Sequence, residues 1–435
     1  MLEKIENLLH SKSIKNSGWI IGDQIFQMGL QLIVGMITAR YLGPSNYGTL
    51  SYTASFITFF ISIATLGMEG VVIKKLIEHP DEEGLYLGSS IVFRIFSSIF
   101  SILSVSLVVY VLNPDEPIKL LLVFVQSIQL IFKAGKILES WFHRHLLSKY
   151  SSLGSMLSCV AVSAYKIYLL ATGKSIVWFA FSNSISEAVI LCIMIYAYKK
   201  AGGQKLRYSF AIGKEILHES YHFIISGFMV AIYGQMDRIM LGQMLNDTVV
   251  GLYSTATTIC GMWVIIPTAF INSFQPIIME EKNNGNEKKY ILRLEQLYSS
   301  IMWMCIIVSL VVGLLSKPII YILYGSAYLK AAEPLAISIW YETFAMIGSA
   351  RGIWILCENK NKYVKYYFFV GTIANLILNA TLIPIYGMNG AAFATLVTQI
   401  ITSLIAPLFF KETRIHTKLV IDSFLLKWYW GNEYK

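Results

Sequence analysis

Charge is scarce in this sequence. Asp, Glu, Lys and Arg make up 14% of 435 residues, against about 25% in soluble domains. A chain of this length has room for two or three soluble domains, and the shortage of charge argues against them. Cysteine is scarce too. The five cysteines fall in or at the ends of separate hydrophobic runs with no paired spacing, so they read as packing residues and exclude a disulfide scaffold. With 10 prolines and 55% hydrophobic residues, collagen and disorder are excluded as well. Catalytic motifs are missing. Gly173-Lys174-Ser175 resembles the end of a phosphate-binding loop, but Tyr168 stands where the upstream glycine is required. His143 and His145 form an H-x-H pair without a third ligand. The reading is a non-enzyme with no metal, no cofactor and no nucleic-acid partner.

What is present is hydrophobic length. Twelve runs approach or exceed the roughly 20 residues that cross a bilayer: 19–39, 50–72, 88–112, 119–132, 151–172, 176–198, 222–242, 249–274, 298–315, 334–357, 364–383 and 388–410. The fourth is short and is expected to continue past Lys133 and Lys136 to Leu138. Turn residues punctuate the series at Leu42-Gly43-Pro44-Ser45-Asn46, Asn113-Pro114-Asp115-Glu116-Pro117 and Pro384-Ile385-Tyr386-Gly387. With the N-terminus inside, 26 Lys and Arg fall on that side and five (Arg40, Lys119, Lys174, Lys317, Lys330) on the other. That asymmetry predicts twelve spans with both termini cytoplasmic. The first run is too long for a signal peptide and lacks a small-residue cleavage site. Apolar residues at helical spacing over 2–14, and the segments 137–147 and 421–430, read as interfacial helices resting among membrane lipids.

The longest cytoplasmic connection, 199–221, divides the spans six and six. The expected organisation is a bundle over 1–198, a linker over 199–221, a second bundle over 222–410 and a basic tail over 411–435. An offset of 203 residues places Leu42 on Leu245, Gly48 on Gly251 and Ser51 on Ser254, as parallel repeats would.

Eight ionisable residues lie inside spans, where each costs at least about 2.5–3.5 kcal/mol at the bilayer centre: Asp23, Arg94, Lys166, Glu187, Asp237, Arg238, Glu342 and Arg351. Arg94 and Arg351 lie roughly 9 Å from a helix end, within reach of snorkelling or of a cavity. Asp23 is equally shallow and suits a cap or a local pair. Asp237-Arg238 is deep, and adjacent helical side chains diverge by about 100°, so one is free to face a cavity while the other ties a neighbouring helix. Glu187 is a natural partner for Lys166, Arg238 or a transported cation, and Glu342 lies in the outer half of the tenth span.

Four stretches resemble polysaccharide flippases of the Wzx type: Ala39-Arg40-Tyr41-Leu42-Gly43-Pro44-Ser45-Asn46-Tyr47-Gly48; Asp237-Arg238-Ile239-Met240-Leu241-Gly242 with Val250-Gly251-Leu252-Tyr253-Ser254-Thr255-Ala256; Tyr324-Gly325-Ser326-Ala327-Tyr328; and Pro384-Ile385-Tyr386-Gly387-Met388-Asn389-Gly390-Ala391-Ala392-Phe393-Ala394-Thr395. The resemblance implies an all-α, MATE-like fold of two six-helix bundles in the bacterial cytoplasmic membrane. The implied substrate is an undecaprenyl-pyrophosphate-linked oligosaccharide, moved to the outer leaflet by alternating access. The polysaccharide polymerase and other glycan-assembly proteins are implied neighbours. From depth and charge, Arg238, Lys166, Arg94 and Arg351 are expected to attract the anionic substrate. Asp237, Glu187, Asp23 and Glu342 are expected to serve ion coupling or internal pairing. A proton- or sodium-coupled drug antiporter of the same fold is the alternative; it favours acidic residues in an apolar cavity, and the four in-span cations weigh against it.

Overall fold

A computed structural model describes residues 12–426 and is almost wholly helical, with no β-strand among the described residues. The expected interfacial helix over 2–14 falls mainly on residues 1–11, and the end of the tail on 427–435, all outside the described residues. Among the described residues nine helices are long and apolar enough to cross a membrane, which makes the protein a multi-pass membrane protein.

Two of the nine are too long for one crossing. Gly22–Glu78 runs 57 residues and Asn361–Phe409 runs 49. Each is broken at a glycine whose backbone a side chain would strain: Gly43 at φ 70°, ψ 169°, and Gly387 at φ 57°, ψ −134°. Both glycines lie in turn signatures read from the sequence. The helix Ala332–Cys357, which carries Glu333, Glu342 and Arg351, is also of spanning length but stands apart from the apolar nine.

The described residues divide into two compact units: those up to Leu42 with Tyr52–Ala231, and Gly43–Ser51 with those from Ile232 onward. In the first, Leu66, Met68, Val72, Leu76, Leu87, Ile137, Trp141, Phe142 and Met194 form one buried cluster. The Trp141 indole donates to Glu83 at 2.7 Å, and Lys75 is clasped by Glu215 and Glu219 at 2.5 and 2.7 Å. The predicted linker is strapped down in this unit. Arg207 N donates to the Gly84 carbonyl at 3.0 Å, Ser209 N to Ser89 Oγ at 2.9 Å, and Gln204 Nε2 to the Pro80 carbonyl at 2.8 Å. Gly84 and Gly88 make this possible, because a Cβ on either would strike the carbonyls of Lys205 and Arg207.

The second unit has its buried cluster among Ile278, Leu294, Leu297, Tyr298, Ile301, Ile347, Trp354 and Val420. At its other principal contact, backbones touch. A Cβ on Gly48 would collide with the Asp247 carbonyl, and one on Gly251 with the Pro44 carbonyl. The 203-residue offset carries Pro44 to Asp247 and Gly48 to Gly251, so the contact maps onto itself. Close approach through small residues is how helices associate where lipid removes the hydrophobic drive.

Candidate functional site

Asp237 and Arg238 sit near the end of the long helix Phe210–Met244 and point to different partners. Asp237 is buried, and its carboxylate accepts four hydrogen bonds. Oδ1 receives Asn379 Nδ2 at 2.7 Å and Asn375 Nδ2 at 3.3 Å; Oδ2 receives Thr395 Oγ1 at 2.5 Å and the Tyr253 hydroxyl at 2.6 Å. Four donors match the lone-pair capacity of a carboxylate, so its charge is stabilised without a cation beside it. Helical spacing explains the arrangement. Asn375 and Asn379 are one turn apart on Val364–Ile400, and Thr395 returns on the same element after the break at Gly387. Asn379 Oδ1 remains buried and without a hydrogen-bond partner among the described residues. The environment of Asp237 is therefore one carboxylate held by neutral amides and hydroxyls that donate to it. No group of three His, Cys, Asp or Glu able to hold a metal ion occurs among the described residues.

Arg238 turns the other way, donating to Gln235 Oε1 at 2.6 Å and to Thr257 Oγ1 at 2.9 Å. Both acceptors are neutral, and Arg238 Nε is buried without a partner among the described residues. The side chain keeps its whole positive charge and has a donor to spare. The divergence expected from helical geometry is what these two residues display.

The remaining in-span charges are dispersed. Arg351 stacks on the Tyr367 ring at 4.4 Å and donates to the carbonyls of Thr402 and Ser403 at 2.6 and 3.4 Å. Those carbonyls belong to a π-helical turn, Ile401–Ile405, whose widened ladder leaves oxygens open to a side chain. Arg94 is 1% exposed and lies 3.5 Å from Glu69, with Nε and Nη1 unpartnered among the described residues. Both arginine side chains are buried within their own unit. Asp23 accepts from Gln27 one turn on, at 2.8 Å, the local pairing expected of a shallow acid. Glu342 is buried on Ala332–Cys357. Lys166, half-buried on Ser148–Ala171, joins none of the ion pairs among the described residues.

Glu187 departs from expectation. It pairs neither with Lys166 nor with Arg238, but with Lys133 at 2.9 Å. Lys133 directly follows the run 119–132, on the helical stretch Pro117–Arg144, which continues past Lys133 and Lys136 as the sequence led us to expect. The polar set around Asp237 was also absent from the sequence reading. Asn375 and Asn379 are two amides one turn apart in an otherwise apolar span, a pattern that was available as a clue.

Comparison with known proteins identifies the family and the fold. The family described as polysaccharide biosynthesis protein matches residues 13–281. A probable flippase, AglR, of Haloferax volcanii is 23% identical over 91% of this chain and 83% of its own length. A putative O-antigen transporter of Salmonella typhi is 22% identical over 86% of this chain and 94% of its own. Among solved structures, the lipid II flippase MurJ in an inward closed conformation superposes with a TM-score of 0.72 at 18% identity, covering 96% of this chain and 92% of that one. An inward-facing MATE multidrug transporter superposes at 0.67 with 12% identity, covering 91% and 96%. At these identities the structures speak for the fold alone, and they agree with the MATE-like architecture expected from the sequence. With more than half of its length matched by the family, this multi-pass, all-helical chain belongs to the polysaccharide biosynthesis protein family of flippase-like membrane proteins.

Proposed function

We propose that the protein flips undecaprenyl-pyrophosphate-linked oligosaccharide repeat units from the cytoplasmic to the outer leaflet of a bacterial cytoplasmic membrane. On this reading the chain has twelve spans with both termini cytoplasmic. The glycine breaks at Gly43 and Gly387 each divide one long helix into two spans, and Ala332–Cys357 supplies another. Two bundles, over 1–198 and 222–410, rock to expose the substrate path to each leaflet in turn. Transport makes and breaks no covalent bond, so the task is to replace the hydration of a pyrophosphate and several sugars within hydrocarbon.

The observation that carries the reading is Arg238. It is a full positive charge deep in a span, held only by neutral acceptors, with one donor unspent. Such a group attracts an anionic head without an internal carboxylate competing for it. Lys166 and Arg94 are assigned the same role on the first unit. Arg351 is assigned to bracing, since its Nη1 holds the Thr402 and Ser403 carbonyls and its guanidinium lies on the Tyr367 ring within its own bundle, with Nε left unpartnered among the described residues. Asp237 is assigned to coupling, by a proton or a monovalent cation that would exchange with the amide donors now on its carboxylate. Glu187, Asp23 and Glu342 are assigned to internal pairing or to secondary steps of that coupling.

The test is Arg238→Ala in cells that make the glycan. The expected result is loss of surface polysaccharide, with lipid-linked repeat units accumulating inside and the protein inserted at its normal level. Normal surface polysaccharide in that variant would overturn the assignment.

A further inference from the structure

A groove of about 250 Å³ lies within the second unit, between helix Ile265–Asn283 and helix Ala332–Cys357. Thr268, Asn272 and Gln275 face it from the first helix at three- to four-residue spacing, and Ser349 and Gly352 from the second. Three aliphatic side chains, Ile271 among them, complete the lining, and no ionisable group takes part.

Three observations set this face apart from ordinary helix packing. First, Asn272 lies two residues inside the end of the hydrophobic run 249–274, among Phe270, Ile271 and Phe274. It is nonetheless exposed and spends no side-chain hydrogen bond on a described residue. The one side-chain contact recorded for Gln275 is a weak donation to the Met279 sulfur at 3.9 Å. Second, Pro276 has no N–H to give the Asn272 carbonyl, so the backbone adds an acceptor at the same place. Third, a Cβ built on Gly352 meets nothing within 4 Å. This glycine relieves no crowding between helices, unlike Gly48 and Gly251; what it preserves is the open space of the groove.

We infer that this groove is a saccharide subsite, taking one neutral sugar ring of the lipid-linked cargo. Paired donors and acceptors without charge match the hydroxyls of a pyranose, and the aliphatic strip matches its C–H face. The volume lies just below the roughly 300–1,000 Å³ of drug-sized sites, enough for a ring and too small for the repeat unit. An anionic head would find no countercharge there. The inference rests on the flippase reading and adds to it a place where cargo identity is read.

The experiment uses the purified full chain and synthetic probes. One is farnesyl pyrophosphate; the others carry a single neutral sugar on the pyrophosphate, namely glucose, galactose or N-acetylglucosamine. The wild-type protein is expected to bind at least one sugar-bearing probe about tenfold more tightly than farnesyl pyrophosphate. Gly352→Leu, which fills the groove, and Asn272→Leu, which removes its amide, are expected to erase that preference while keeping wild-type affinity for farnesyl pyrophosphate. Gly352→Ala is expected to retain most of the preference. Because Asn272→Leu nearly conserves volume at an exposed position, it keeps the test open should Gly352→Leu fail to fold. Equal wild-type affinity for all probes would overturn the subsite while leaving the flippase reading intact. Loss of farnesyl pyrophosphate binding in both folded leucine variants would also overturn it, by assigning the groove to the lipid head. Failure of the wild type to bind any probe would overturn the flippase reading and this inference together.

Discussion

At the scale of single residues, the most exposed assumption concerns how buried charge is satisfied. Asp237 accepts four hydrogen bonds, and truncating one donor leaves a buried carboxylate short by one. Asn379→Ala, which removes the 2.7 Å donor, is expected to destabilise the protein by about 1.5–3 kcal/mol, measured by thermal unfolding in mild detergent. Asn375→Ala, which removes only the 3.3 Å contact, should cost clearly less. His416 offers a second test outside the spans. Its ring is wholly buried against Tyr298 and Trp354, with neither nitrogen partnered among the described residues, and burial drives its pKa well below 6.5, helped by the Arg351 charge. The unfolded chain therefore takes up this proton first. Stability is full above about pH 6.5 and falls as pH drops below it, by up to about 1.4 kcal/mol per pH unit until the folded value is reached. Glu412, held low by Lys360 and Tyr363, acts only below its ordinary value of 4.5. The contribution of His416 between pH 6.5 and 5 is the difference between the wild-type slope and that of His416→Phe, whose stability should fall less steeply with acid. An unchanged slope in that variant would refute the linkage.

At the scale of elements, glycine does two opposite things in this fold. Gly48 and Gly251 let two backbones touch, so Gly48→Ala and Gly251→Ala should each cost about 1–3 kcal/mol through overpacking. Gly352→Ala, with open space around it, should be neutral or mildly stabilising. Thermal unfolding of the three variants side by side separates the cases. Gly84→Ala is expected to release the 204–209 strap, read as faster proteolytic nicking in that segment with the bundle intact. These contacts mark how far the sequence could be read. The breaks at Gly43 and Gly387 were legible because a positive-φ turn needs glycine and both sit in strong turn signatures. Gly48 and Gly251 were legible only as equivalent positions under the 203-residue offset; that the two meet is a property of folding together. The strap over 204–209 was legible only as part of a linker over 199–221, because nothing local distinguishes an extended solvated segment from one laid against a glycine face. The Glu187–Lys133 pair escaped because it joins two helices more than fifty residues apart in sequence, which no local pattern connects.

At the scale of the whole molecule, the charges divide by function. Most of the positive excess reads as an orientation signal, and the small remainder inside the spans is where transport chemistry is proposed. Depth singled out Asp237 and Arg238 from the sequence. Apart from Gln235 on the same helix, their partners came from three other stretches of chain, Tyr253 with Thr257, Asn375 with Asn379, and Thr395, which no local pattern connects to them. The two residues also predict a separation in transport data: Asp237→Asn should abolish dependence on a proton or sodium gradient, whereas Arg238→Ala should abolish transport with or without one. Identical gradient dependence in Asp237→Asn and wild type would remove Asp237 from coupling.

The central claim is tested most directly by reconstituting the purified protein into liposomes loaded with lipid-linked oligosaccharide in one leaflet and following its arrival in the other with a membrane-impermeant lectin. Translocation that requires the wild-type protein, and is lost in an equally well inserted Arg238→Ala variant, is the predicted result. Equal rates with wild-type protein, with the variant and with empty liposomes would contradict the account.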